Sequence, residues 1–106
     1  MKKERDPTSE EFKKLLLWLD SDCDAAGLKY QQLQSRATRI FISRGCIDCE
    51  SLADEVSNRI AVRIDTVVQK YPEPIRCWLG FVDNVFLEYV RDQARINWND
   101  YNLERV

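Results

Sequence analysis

Apolar residues return at helical spacing along almost the whole of this chain, and that periodicity constrains its fold more than any other feature. Phe12, Leu15, Leu16 and Leu19 stand at i, i+3, i+4 and i+7, one stripe of an amphipathic helix, with Lys13 and Lys14 on the opposite face. Ahead of them Pro7-Thr8-Ser9-Glu10-Glu11 reads as a helix start, a hydroxyl cap followed by first-turn acids. The spacing predicts a short first helix over residues 9–20. Asp20-Ser21-Asp22-Cys23-Asp24 breaks it, and these acids suit the N-terminus of the next helix.

A second helix is expected from Ala25 to Arg44, with Leu33, Ala37, Ile40 and Phe41 in the core and Tyr30 over the turn before Leu33. Gly45 stands where a C-terminal glycine closes a helix. Asp48-Cys49-Glu50-Ser51 opens a third helix carrying Leu52, Val56, Ile60 and Ile64 at four-residue spacing. Its opposite face holds Asp54, Glu55, Asn58, Arg59 and Arg63. Residues 65–74 are expected to form a loop, because Tyr71-Pro72-Glu73-Pro74 cannot be helical. A fourth helix then carries Ile75, Trp78, Leu79, Val82, Phe86, Tyr89 and Val90 as far as Ile96, with Trp78 and Phe86 as core residues. The asparagine-rich tail after it either docks back or frays, and Trp18 and Trp98 are either buried or at an interface. With 106 residues there is room for one domain, and three glycines and three prolines leave little scope for the turns of an all-β fold. The expectation is an all-α bundle of about four main helices.

Composition excludes several functions. There is no histidine, so no Ser-His-Asp or Cys-His couple and no histidine-bearing zinc site can form. The glycines are never grouped as a phosphate-binding loop, and an enzyme is not expected. No apolar run approaches the ~20 residues that span a bilayer. The charged N-terminus has no signal-peptide core, so the expected location is cytoplasmic, with the four cysteines reduced. Cys46-Ile47-Asp48-Cys49 could join Cys23 and Cys77 in a thiolate site, but a second CxxC is missing. A redox role would want a βαβ setting, which the helical pattern does not supply. Asp20-x-Asp22-x-Asp24 imitates the start of an EF-hand loop, yet Ala25 and Gln31 replace the required glycine and glutamate. No metal or cofactor is expected.

Net charge is only −2, but its distribution is uneven. Residues 25–45 hold Lys29, Arg36, Arg39 and Arg44 with no acid, whereas residues 46–65 carry −3. Two readings stand side by side: charge pairing between packed helices with ordinary solvation, or an interaction face.

From Leu28 to Arg95 the order of features resembles region 2 of sigma-70 family RNA polymerase sigma factors, of the extracytoplasmic-function type. The residues carrying this are Tyr30, Leu33 and Arg39-Ile40-Phe41, then Arg44-Gly45-Cys46 through Leu52-Ala53-Asp54-Glu55-Val56 and Arg59. Pro74-Ile75-Arg76-Cys77-Trp78-Leu79-Gly80-Phe81-Val82-Asp83-Asn84 and Arg91 continue the series. About two-thirds of the chain is covered. The resemblance divides the chain into a capping helix and acidic turn (1–24), a region-2-like helical domain (25–96) and a C-terminal tail (97–106).

What the resemblance implies is a transcription module. Asp54, Glu55, Asn58 and Arg59 would face the clamp helices of the largest subunit of core RNA polymerase. Tyr71, Arg76 and Asn84 would face single-stranded promoter −10 DNA, with Lys70, Arg91 and Arg95 nearby. The chain departs from the family in three places. Asp83 stands where a base is usual, Ser57 where a bulky apolar residue is usual, and no second helix-turn-helix module (region 4) follows. The alternative is a protein-interaction adaptor that keeps the sigma-like fold, has lost DNA binding and meets a regulatory protein partner. Asp83 and the neutral fourth helix favour it, since a segment without net positive charge gains little from counterion release.

Overall fold

The computed structural model describes the backbone of residues 3–104 and the side chains of residues 3–95. Within these limits the chain is all-α: α1 (Ser9–Leu19), α2 (Cys23–Ser43), α3 (Cys49–Val62), α4 (Ile64–Lys70) and α5 (Pro74–Glu104), with no strand among the described residues. None of these helices is long and apolar enough to cross a membrane.

Local chemistry sets most of the boundaries. Thr8 caps α1 through a capping box: its hydroxyl accepts the Glu11 N–H, and the Glu11 carboxylate accepts the Thr8 N–H at 2.8 Å. Asp22 caps α2 by accepting the Ala25 N–H, so the acidic turn serves the helix as expected. At the other end Gly45 adopts φ 78, and the N–H groups of Cys46 and Gly45 return to the carbonyls of Phe41 and Ile42, both at 3.0 Å. This is the Schellman closure that a glycine makes cheap. Pro74 occupies the first position of α5, where its missing N–H is not needed.

Three expectations are corrected. The four-residue spacing of Leu52, Val56, Ile60 and Ile64 does not run through one helix, because α3 ends at Val62 and Ile64 begins α4. The segment 65–70, expected as loop, is the body of α4, held by Thr66 and Val67 N–H bonds to the Arg63 carbonyl and by burial of Ile64 and Val67. Only residues 71–73 connect α4 to α5. The tail does not begin at residue 97, since α5 runs on to Glu104. The side chain of Trp98 lies outside the described residues.

α3 is the centre of the molecule, packing against α2, α5 and α1. Leu15 and Leu19 from α1, Phe41 from α2, Val56 and Ile60 from α3, Val67 from α4 and Trp78, Val82 and Val85 from α5 share one core. Each of the larger apolar side chains contributes on the order of 1.5–3 kcal/mol by burial. Trp78, 1% exposed, and Tyr30 meet edge-to-face with centroids 6.0 Å apart, and Tyr30 meets Phe12 in the same way at 5.3 Å. α1 therefore belongs to the same core as the helices it was expected merely to cover.

Candidate functional site

The polar side of α3 is only partly open. Asp54 is exposed and accepts a hydrogen bond from the Gln34 amide of α2 at 3.0 Å. Asn58 is half-buried. Glu55, by contrast, is 3% exposed. Its carboxylate accepts from Arg59 one turn on, at 2.8 Å, and from the Glu4 backbone N–H, also at 2.8 Å. Arg59, with a side chain 12% exposed, bridges onward to Glu88 on α5. Burial pulls the guanidinium towards neutrality, but Glu88 and Glu55 outweigh it and hold Arg59 firmly charged.

The segment preceding α1 completes this network. Besides the N–H given to Glu55, the Glu4 carboxylate lies on Arg63 at 2.7 Å, and Arg5 forks on Glu11 of α1 at 2.9 and 2.8 Å. Arg63 holds the Glu4 carboxyl below the usual carboxylate range. Of the four residues placed on the docking face by the sequence, Asp54 and Asn58 are reachable from solvent, while Glu55 and Arg59 lie within an internal charge network. Sequence reasoning missed the Glu4 contacts, because the segment carries no periodicity and both partners, Glu55 and Arg63, are distant in sequence.

Two grooves of mixed polar and apolar lining flank α3. Between α2 and α3 a groove of about 460 Å³ is lined by Gln34, Ser35, Thr38, Arg39, Glu50 and Asp54. Between α3 and α5 another, of about 410 Å³, gathers Arg59, Arg63, Phe81, Asn84, Glu88 and Arg91. The basic side chains of α2 do not pair with the acids of α3. Lys29 returns to Asp20, Arg44 reaches Asp83 on α5, and Arg36 and Arg39 make no ion pair among the described residues. Pairing between these packed helices thus does not account for the basic run.

The three residues assigned to DNA are not brought together. Asn84 is exposed in the α3–α5 groove beside Phe81 and Arg91. Arg76 stands two turns earlier on α5, exposed and paired with Glu73 at 3.2 Å. Tyr71, in the α4–α5 connection, is half-buried against the core. Asp83 and Ser57 both have structural partners. Asp83 accepts from Arg44 at 3.0 Å, and Arg44 lies 4.7 Å over the Phe86 ring, so the two charges tie α2 to α5. Ser57 is buried at 3% exposure, donating to the Asp54 carbonyl and accepting from the Tyr30 hydroxyl at 3.3 Å.

The cysteines do not converge. Cys23 is exposed, Cys77 is buried, and among the described residues no three cysteine or acidic side chains are placed to hold a metal. Burial pushes the Cys77 thiol up to about 11, and burial followed by the neighbouring Cys49 raises Cys46. The Cys49 thiol donates to the Cys46 carbonyl at 3.2 Å, so the CxxC braces the turn into α3. No family model, curated protein or solved structure matches the chain.

Proposed function

We propose that this chain is a sigma region-2-like transcription module that docks on core RNA polymerase through α3, with single-stranded −10 promoter DNA as a second, weaker ligand. The observation that carries this reading is the division of polar surface on either side of one buried helix. On the α2 side, Asp54 shares a groove with Glu50 and Arg39, a mixed-charge surface suited to a partner helix. On the α5 side, Asn84 and Arg91 share a groove with the Phe81 ring, the amide, cation and aromatic that a single strand can use. The clamp helices of the largest polymerase subunit are the partner on the first side. The proposed role involves no catalysis and no cofactor, and it is cytoplasmic.

A second reading, the adaptor without DNA binding, draws on a different observation. Arg44, Arg59, Arg63 and Arg76 are all engaged by carboxylates of the same chain, which leaves the α5 side few cations for phosphate.

The test is binding of the purified chain to core RNA polymerase and, separately, to a −10 single-stranded oligonucleotide at two salt concentrations. Asp54→Lys is expected to weaken polymerase capture at least tenfold without unfolding the domain, and Arg91→Ala to weaken the oligonucleotide. Polymerase binding without salt-sensitive DNA binding keeps the transcription reading and removes its DNA ligand, whereas the adaptor is expected to bind neither and to need another protein partner. Binding to neither removes the transcription reading.

A further inference from the structure

We infer that the apolar groove between α2 and the start of α5 docks an acidic amphipathic helix of a partner protein, its apolar side on Leu33 and Ile75 and its carboxylates along the basic rim of α2. This groove shares no lining residue with either groove flanking α3, and the inference stands whether or not the chain binds polymerase.

The groove has a volume of about 430 Å³, and Leu19, Leu33, Pro74 and Ile75 give it an apolar floor. Leu19 belongs to the core, but Ile75 stays 40% exposed in the first turn of α5. Apolar side chains of a partner displace water from such a surface favourably. On one rim Lys29, Gln32 and Arg36 follow at three- and four-residue intervals, hence on one face of α2. Lys29 and Arg36 are two turns apart, about 10 Å along the axis. Lys29 is anchored by Asp20 at 2.9 Å, whereas Arg36 has no ion pair among the described residues. After Asp24, α2 carries no acid to offset them. The opposite wall holds Glu73, itself paired with Arg76 at 3.2 Å. The groove is therefore polarised, cationic along α2 and acidic across from it.

That polarity chooses the occupant. Carboxylates two turns apart on a partner helix match Lys29 and Arg36, and apolar residues on its adjoining face reach Leu33 and Ile75. An extended segment finds no sheet edge among the described residues to pair with. A fatty carboxylate brings one charge where two cations stand apart, and an anionic membrane would press Glu73 against its own sign. The basic run of α2, which pairing with α3 does not account for, has its use in this contact.

The experiment selects displayed random peptides of about 16 residues, four to five helical turns, against the full chain, with Ile75→Asp as counter-target. Ile75→Asp sets a carboxylate on the groove floor while suiting the N-terminal end of α5, and thermal melting establishes that it is folded. The recovered peptides are expected to be rich in Asp and Glu, with large apolar residues at i and i+3 or i+4. A synthetic copy of the most enriched one is then titrated while amide NMR signals are followed. Shifts are expected at Leu33, Arg36 and Ile75. Arg36→Glu is expected to weaken binding about tenfold or more, and Arg39→Glu, the same change of charge at a residue of the other groove, less than about threefold.

Recovery of no peptide, of peptides without an acidic excess, or of peptides that bind Ile75→Asp equally well overturns the inference. Equal losses for the two arginine variants also overturn it, since they report long-range charge alone. Dimerisation of the chain that Ile75→Asp abolishes makes a second copy the occupant, and capture on phosphatidylglycerol vesicles without any selected peptide makes it a lipid surface. Either result overturns the helix.

Discussion

The Glu55 carboxylate and the Arg59 guanidinium, one turn apart on α3, meet at 2.8 Å with both side chains largely withdrawn from water. Removing one member of such a pair leaves a charge that is neither hydrated nor matched. Glu55→Ala is therefore expected to lower unfolding free energy by about 3 kcal/mol, and Asp54→Ala by less than about 0.5 kcal/mol. Urea denaturation of the two variants checks this. It also shows why Glu55→Lys is a poor probe of docking, since loss of fold would imitate loss of binding.

Acid should loosen the N-terminal end first. Arg5, followed by the Thr8 N–H, pulls Glu11 from its ordinary 4.5 down to about 2. Glu4 and Asp20 are lowered in the same direction, by Arg63 and Lys29 respectively. Above the ordinary carboxylate value the folded and unfolded chains bind the same protons, and the stabilisation is complete. As pH falls from about 4.5 towards 2 the unfolded chain takes up protons first, and this part of the stability is lost. Melting temperature followed over that range is expected to fall less steeply for Glu11→Gln than for the wild-type chain.

Ser57 is buried with the Tyr30 hydroxyl 3.3 Å from its own. Placing a bulky apolar residue there with Ser57→Leu is expected to cost about 1–3 kcal/mol through overpacking. It should also push Tyr30 away from Trp78, so near-ultraviolet circular dichroism changes along with the denaturation midpoint.

Two glycines should respond to alanine with opposite sign. Gly45 sits at φ 78, and Gly45→Ala is expected to lose about 1 kcal/mol from strained backbone. Gly80 lies inside α5 with nothing within 4 Å of an added Cβ, so Gly80→Ala should gain about 0.5–1 kcal/mol. Chemical denaturation of the pair decides both signs.

What could be read from the sequence was what depends on neighbours along the chain. Thr8, Asp22 and Gly45 act on groups at most four residues away, and their roles follow from residue type and position. α4 escaped because its seven residues include Thr66, Val67 and Val68, β-branched and too few to show a period. Ile64 was rightly apolar but assigned to the wrong helix, since a break at Arg63 preserves the burial that the spacing announced. Glu55 lies three residues after Leu52, on the flank of the apolar stripe. Whether such a position faces water depends on what else lies over it, here a backbone N–H 51 residues away in sequence. The Arg44–Asp83 tie, 39 residues apart, is of the same kind.

The burial of Leu15 and Leu19 in the common core makes α1 part of the folded unit of this chain. A fragment cut at residue 25, where the region-2 likeness begins, would strip Phe12 from Tyr30 and uncover the side of α2 and α3 on which α1 lies. Bare apolar ground of that kind invites self-association. Such a fragment would report adhesion to its own copies ahead of any selective recognition, so a shortened chain meant for binding work should keep α1 with its Thr8 cap.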